Sequence, residues 1–167
     1  MNYCGLNCFD TANGKGVRVS LFVSGCSLHC KGCFNPESWK FDAGQPFTDE
    51  TLNKILQAMD NDYVSGFSLL GGDPFEPEHE KTLTSVLSKI KKRNPKKSIW
   101  CWTGRRFEKI KNSPLMKYID VLIDGPFVEK LKVKEQGKWF GSTNQRVLKI
   151  HNGYADELIS WCILINV

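Results

Sequence analysis

Four apolar segments, each closing on a glycine-containing turn, set the limits on how this chain folds. Val17, Val19, Leu21 and Val23 alternate as a strand, with Phe22 adding apolar weight to the other face, and the run ends at Gly25. Gly66 to Leu70 reads as a short buried strand closing in Gly71-Gly72-Asp73-Pro74. Ser98 to Thr103 is a third strand, ending at Gly104, and Tyr118 to Ile123 a fourth, ending in Asp124-Gly125-Pro126. Helical patterns fill the gaps. Thr48 is placed to cap a helix with Leu52, Ile55, Leu56 and Met59 on its apolar face, and Leu83, Val86, Leu87 and Ile90 mark a second. Arg105 to Lys111 reads as a short third helix. This alternation predicts an α/β fold with a mostly parallel sheet of about five or six strands. That is too few for a closed eight-strand barrel, so the expectation is a partial, open TIM-like (β/α) barrel. No repeat or linker divides the 167 residues, which read as one domain, 1–167, with a C-terminal tail, 151–167, of no assigned role.

In parallel α/β folds, ligands bind at the carboxyl ends of the strands. The four glycine turns should therefore share one rim. The first leads directly into Cys26-Ser-Leu-His-Cys30-Lys-Gly-Cys33. Three thiolates at this spacing suit three irons of a cubane 4Fe-4S cluster and leave the fourth iron without a local protein ligand. The plainer alternative is zinc, which wants four ligands and would have to recruit Cys4 or Cys8. Cys4 and Cys8 otherwise read as two ordinary thiols, and Cys101 and Cys162 as packed side chains. The chain has seven cysteines, an odd number, and Met1 to Asp10 carries neither a basic start nor an apolar leader segment. That combination fits metal-bound thiolates in a reducing cytoplasm better than a secreted disulfide scaffold.

The net charge of +5 is mild, and much of it sits between Lys89 and Lys97. A solvated helix end explains that stretch, with docking of an acidic protein as a lesser alternative. No nucleic-acid-binding motif accompanies it. Leu158 to Val167 is too short to span a bilayer, so no membrane association is expected. His29, His79 and His151 have no partner spacing that suggests catalysis, and Arg18 reads as a surface residue beside a core face.

The cysteine spacing, followed by a glycine-rich turn after the next strand, resembles the radical S-adenosylmethionine superfamily. More narrowly, the chain is similar to activating proteins of anaerobic (class III) ribonucleoside-triphosphate reductases. The matching pieces run in order from about residue 10 to 150: Gly16 to Cys26, Cys30-Lys-Gly-Cys-Phe-Asn35, Gly71-Gly-Asp-Pro74, Trp102-Thr-Gly104, Asp124-Gly125 and Gly141 to Arg146. Gly32 stands where the superfamily often has an aromatic residue, and Asp73 where it often has Glu; both variants suit this narrower family.

The resemblance implies that Cys26, Cys30 and Cys33 ligate one 4Fe-4S cluster and that S-adenosyl-L-methionine is the cosubstrate. Reductive cleavage of the sulfonium would give methionine and a 5′-deoxyadenosyl radical, which would abstract hydrogen from a glycine of the partner reductase. Gly71 and Gly72 would let backbone approach the methionine amine, and Asp73 would accept from that amine or orient the turn. Phe34 would pack on the adenine, with Gly32 keeping the loop close. Thr103 and Asp124 are candidates for ribose or carboxylate contacts, and Asn144, Gln145 and Arg146 for support of the cofactor or the partner's glycine loop. Reduced flavodoxin or a similar protein would supply the electron. On this reading Gly72→Val spares the cluster and weakens cosubstrate binding. Activation of another glycyl-radical enzyme, another radical reaction, and a structural zinc or electron-transfer module stay open as alternatives.

Overall fold

The computed structural model describes residues 1–134, 138–151 and 154–157. Eight strands form one sheet: β1 (Asn2–Asp10), β2 (Val17–Val23), β3 (Gln45–Pro46), β4 (Val64–Gly71), β5 (Ser98–Trp102), β6 (Val121–Asp124), β7 (Arg146–His151) and β8 (Tyr154–Glu157). Their order across the sheet is β3-β1-β2-β4-β5-β6-β7-β8. Three α-helices accompany them: α1 (Asp49–Met59), α2 (Pro77–Arg93) and the single-turn α3 (Phe107–Ile110).

The expected open, mostly parallel barrel of five or six strands is not what forms. The sheet is mixed, and four of its seven pairings are antiparallel: β1 with β2, β1 with β3, β6 with β7 and β7 with β8. Only β2, β4, β5 and β6 run parallel. The reason lies in the connections. Parallel neighbours need a crossover, and α-helices precede β4, β5 and β6 in the chain; β1 leads into β2 with no helix between them, and β3, which returns to β1 after the cysteine loop, and β7 also run antiparallel to their neighbours. The outer strands escaped the sequence reading because β1 lacks clean alternation and is half exposed, while β3 is two residues long. The tail from 158 to 167, including the expected packing of Cys162, lies outside the described residues.

The helices form where their signals predicted. Thr48 caps α1 by accepting from the Thr51 amide at 3.3 Å, and the Thr51 hydroxyl returns the contact to the Thr48 amide. Pro77 opens α2, and Lys91, Lys92 and Arg93 fill its last turn. Both helices pack Leu52, Ile55, Leu83 and Leu87 against one face of the sheet, onto Val19, Leu21, Leu69 and Ile99. His79 is buried on α2, with Phe41 at 5.9 Å between ring centroids.

The opposite face carries the alternate residues of the same strands. Near the start of β2 it holds Arg18, which is fully buried rather than at the surface. Its guanidinium donates to Ser68 Oγ at 2.6 Å, Phe67 O at 2.8 Å, Ser98 O at 3.0 Å and Lys15 O at 3.2 Å, and lies 5.1 Å from the Trp100 ring centroid. Burial pulls its pKa down to about 10, against distant help from Asp120 and Asp10. A cation kept in the core by neutral acceptors ties β2, β4 and β5 together at their amino ends.

Two outcomes follow from these packed groups. Arg18→Ala leaves several buried carbonyls and hydroxyls without a donor, and should cost about 3 kcal/mol in chemical denaturation of the metal-free chain. Burial holds the His79 pKa below its ordinary value, so the folded state takes up a proton there less readily than the unfolded chain. Stability from this site is complete above the unfolded value and falls as pH drops through it toward the lower folded value. His79→Leu should flatten that part of the stability–pH profile.

Candidate functional site

The site is assembled where β2 and β4 end side by side. Gly25, at φ +103°, turns the chain out of β2, and its amide donates to Ser38 O at 2.7 Å. The Cys26 amide donates to Trp39 O at 3.1 Å, so the short turn Pro36–Trp39 closes the base of the cysteine loop. Within the loop the Cys33 amide reaches Cys30 O at 3.1 Å, and the His29 ring stacks on Trp39 at 4.7 Å. Cys26 is buried, while Cys30 and Cys33 are half-buried. Burial pushes the Cys26 thiol up, partly countered by the Leu28 and His29 amides.

The glycine turn after β4 is pressed onto this loop. The Gly72 amide donates to Val23 O at 2.7 Å and the Asp73 amide to Gly25 O at 2.8 Å. A Cβ on Gly71, itself at φ +113°, would sit 2.5 Å from Val23 backbone atoms, and one on Gly72 would overlap the Gly25 carbonyl. These glycines are thus required by the chain's own backbone, independently of any ligand.

Asp73 is fully buried, and its carboxylate is already engaged. It accepts from the Phe75 amide at 2.9 Å, from Thr103 Oγ1 at 2.9 Å to each oxygen, and from the Gly104 amide at 3.2 Å. Burial raises its pKa despite these donors and the nearby Arg105. Of the two expected roles, this geometry matches orientation of the turn. Thr103 serves the same junction and also accepts from the Arg105 amide at 3.0 Å. Glu76, not singled out in the sequence, accepts from the Ser27 amide at 2.8 Å and the Ser27 hydroxyl at 2.7 Å.

One cavity of about 790 Å³ receives Cys26, Cys30, Cys33, Phe34, Gly71, Gly72, Asp73 and Thr103. That volume falls in the range of roughly 300–1,000 Å³ typical of small-molecule sites. Trp102, Phe127, Trp139 and Phe140 supply apolar wall, and Gln145, Lys138 and Cys4 also line it. Phe34 stands 64% exposed, edge-on to Phe127 at 5.0 Å, with the Lys132 ammonium 4.8 Å from its ring centroid.

Gly32, Asp124, Asn144 and Arg146 are not on the cavity lining. Gly32, at φ +72°, faces Glu129, where a Cβ would come within 2.9 Å of the carboxylate. Asp124 is fully buried as an anchor for other groups, accepting from the Phe107 amide at 2.7 Å and from Arg146 Nε at 2.9 Å. Asn144 and Gln145 hold the loop after β6, through Pro126 O and Gly125 O at 2.8 Å each.

The donor set fits a cubane cluster. Among the described residues no three His, Cys, Asp or Glu side chains meet around a single point. A cubane takes one thiolate per iron, so it asks for three soft sulfurs around a volume, and three free cysteines on one cavity offer that. The contact between Gly72 and Gly25 changes the expectation for the glycine turn. Gly72→Val should displace Gly25 and Cys26 together, lowering iron retained after anaerobic reconstitution as well as cosubstrate binding. Iron content equal to wild type, with only binding weakened, would show that the two turns are not mechanically joined.

Known proteins match this chain over most of its length. A family model described as a 4Fe-4S single cluster domain matches residues 12–148. An anaerobic ribonucleoside-triphosphate reductase-activating protein of Enterobacteria phage T4 is 42% identical over 147 residues, covering 88% of this chain and 93% of the relative. Proteins of the same name from Haemophilus influenzae and Escherichia coli K12 are 39% and 38% identical, covering 87% and 88% of this chain and 96% and 97% of the relatives. With its cysteine loop, stitched turns and cavity in place, the chain belongs to the family of anaerobic ribonucleoside-triphosphate reductase-activating proteins.

Proposed function

We propose that this chain activates an anaerobic ribonucleoside-triphosphate reductase by generating a glycyl radical on it, with Cys26, Cys30 and Cys33 holding a 4Fe-4S cluster and S-adenosyl-L-methionine as cosubstrate. The observation that carries the reading is that the three cysteines and the Gly71-Gly72-Asp73 turn open into one cavity. Held by Cys26, Cys30 and Cys33, the cluster would supply the electron for reductive cleavage of the cosubstrate's sulfonium, the chemistry that would lead to removal of a hydrogen atom from a glycine of the reductase. The protein's part is placement and exclusion of water. The stitched turns fix the loop relative to the cosubstrate side of the cavity. Trp102, Phe127, Trp139 and Phe140 give it an apolar wall that protects a reactive species from solvent. Asp73 and Thr103, bonded to each other at the cavity lining, hold the ends of β4 and β5 in register.

Reduced flavodoxin or a similar carrier is the proposed electron source. The basic stretch from Lys89 to Lys97 is a poor landing site for it. Lys91 pairs with Asp120 at 2.6 Å, Arg93 with Asp60, and Lys97 donates to Asn61 O at 2.8 Å. α2 also runs back from the carboxyl end of β4, so this stretch precedes the amino end of β5, at the far end of the sheet from the cysteine loop. A donor has to meet the cysteine loop, where Lys31 is exposed and lies 3.7 Å from Glu129. No helix among the described residues is long and apolar enough to cross a membrane, and the proposed setting is the reducing cytoplasm.

Electron paramagnetic resonance of the anaerobically reconstituted, reduced protein tests the proposal. A 4Fe-4S signal that changes on adding S-adenosylmethionine supports it; a signal indifferent to the cosubstrate points to electron transfer alone. Bound zinc with no cluster overturns it. Cys30→Ala should lose the signal and all glycyl-radical formation on the reductase.

A further inference from the structure

Arg105 follows the Thr103–Gly104 turn, and its side chain is about three-quarters buried, at 27% exposure. Its guanidinium lies between two carboxylates that water scarcely reaches. Nη2 donates to Glu76 Oε1 at 2.7 Å, and Nε stands 3.8 Å from Asp73 Oδ2. Glu76 is 4% exposed and Asp73 fully buried. Each carboxylate holds a different part of the site. Glu76 accepts from the amide and hydroxyl of Ser27, the residue after the first cysteine, and Arg105 Nη2 also reaches Ser27 Oγ at 3.2 Å. Asp73 holds the glycine turn and, through Thr103 and Gly104, the end of β5.

Two carboxylates withdrawn from water in one small region repel each other, and each loses hydration. Such an arrangement persists when a cation with several directed donors lies between them, and guanidinium has the planar fork for it. Removing one member of a buried charged group does more harm than never having had the group, because the remaining charge is left uncompensated.

We propose that Arg105 is a positioning residue: by neutralising Glu76 and Asp73 together, it locks the cysteine loop and the Gly71-Gly72 turn into one unit before any cluster is present. The inference rests on the proposed function only in taking that loop as the cluster loop. The lock itself is a property of the metal-free chain.

Hydrogen exchange of the metal-free protein reads it directly. Arg105→Gln should speed exchange in two segments together, 26–33 and 71–75, by about tenfold or more, while the core of α1 and β4 keeps its protection. Arg105→Lys keeps the charge and should restore much of the protection. Glu76→Gln keeps an acceptor for Ser27 but removes one of the two charges. It should loosen 26–33 and leave 71–75 protected, because Asp73 retains Arg105, Thr103 and Gly104. After reconstitution, Arg105→Gln should release iron faster than wild type, and its reduced-cluster spectrum should respond less to S-adenosylmethionine. Unchanged exchange at either segment in Arg105→Gln overturns the proposal. So does a uniform rise across the whole protein, if Glu76→Gln then affects both segments alike. The exchange data require neither cosubstrate nor reductase, so a failure of the lock and a failure of the radical chemistry give different results.

Discussion

Two backbone hydrogen bonds, from Gly72 to Val23 and from Asp73 to Gly25, are what the rest of the site depends on. They continue the β2–β4 pairing one step beyond regular strand geometry, into two turns that would otherwise move independently. Because donor and acceptor are both main-chain groups, no side chain can substitute for them. The glycines are the price of that closeness. Joined in this way, the cysteine loop and the glycine turn each limit the other's movement. The cavity keeps its shape because its two most chemically demanding walls are a single hydrogen-bonded piece.

Buried charge is handled in two contrasting ways on either side of that junction. At the amino ends of the strands, Arg18 is held by hydroxyls, carbonyls and an aromatic face, with no carboxylate of the described residues within hydrogen-bond reach. Its cation is expensive to bury and works as a many-armed donor. At the carboxyl ends the excess runs the other way: Asp73 and Glu76 bring two carboxylates, and Arg105 supplies the cation. The first arrangement closes the sheet; the second disciplines a loop.

The central strands and both long helices were legible in the sequence because their apolar spacing is strong and their caps are explicit, as with Thr48 and Pro77. The convergence of four glycine turns was legible too, since parallel strands with crossovers leave few other places for them. The sheet's edges were not. β1 mixes Asn, Cys and Gly with its apolar residues, and a half-exposed strand leaves no periodic trace. The roles of Asp73, Thr103 and Asp124 were open in the sequence for one physical reason. A polar residue at a strand end reads the same in sequence whether it faces a ligand or satisfies a neighbour's amide. Here Asp124 satisfies Phe107 and Arg146. Arg105 and Glu76 gave no signal alone, because their significance is a relation between residues far apart in the chain.

The irregularity of β1 has a consequence for the protein's life in a crowded solution. Among the described residues β3 pairs only with Asn2 and Tyr3 on the outer side of β1, so most of that edge has no neighbouring strand. Such an edge invites another chain to add a strand. Two register breaks against β2 bend it, and Pro46 stands in the short covering strand. A kinked border of mixed polarity, blunted by a proline, makes a poor template for self-association.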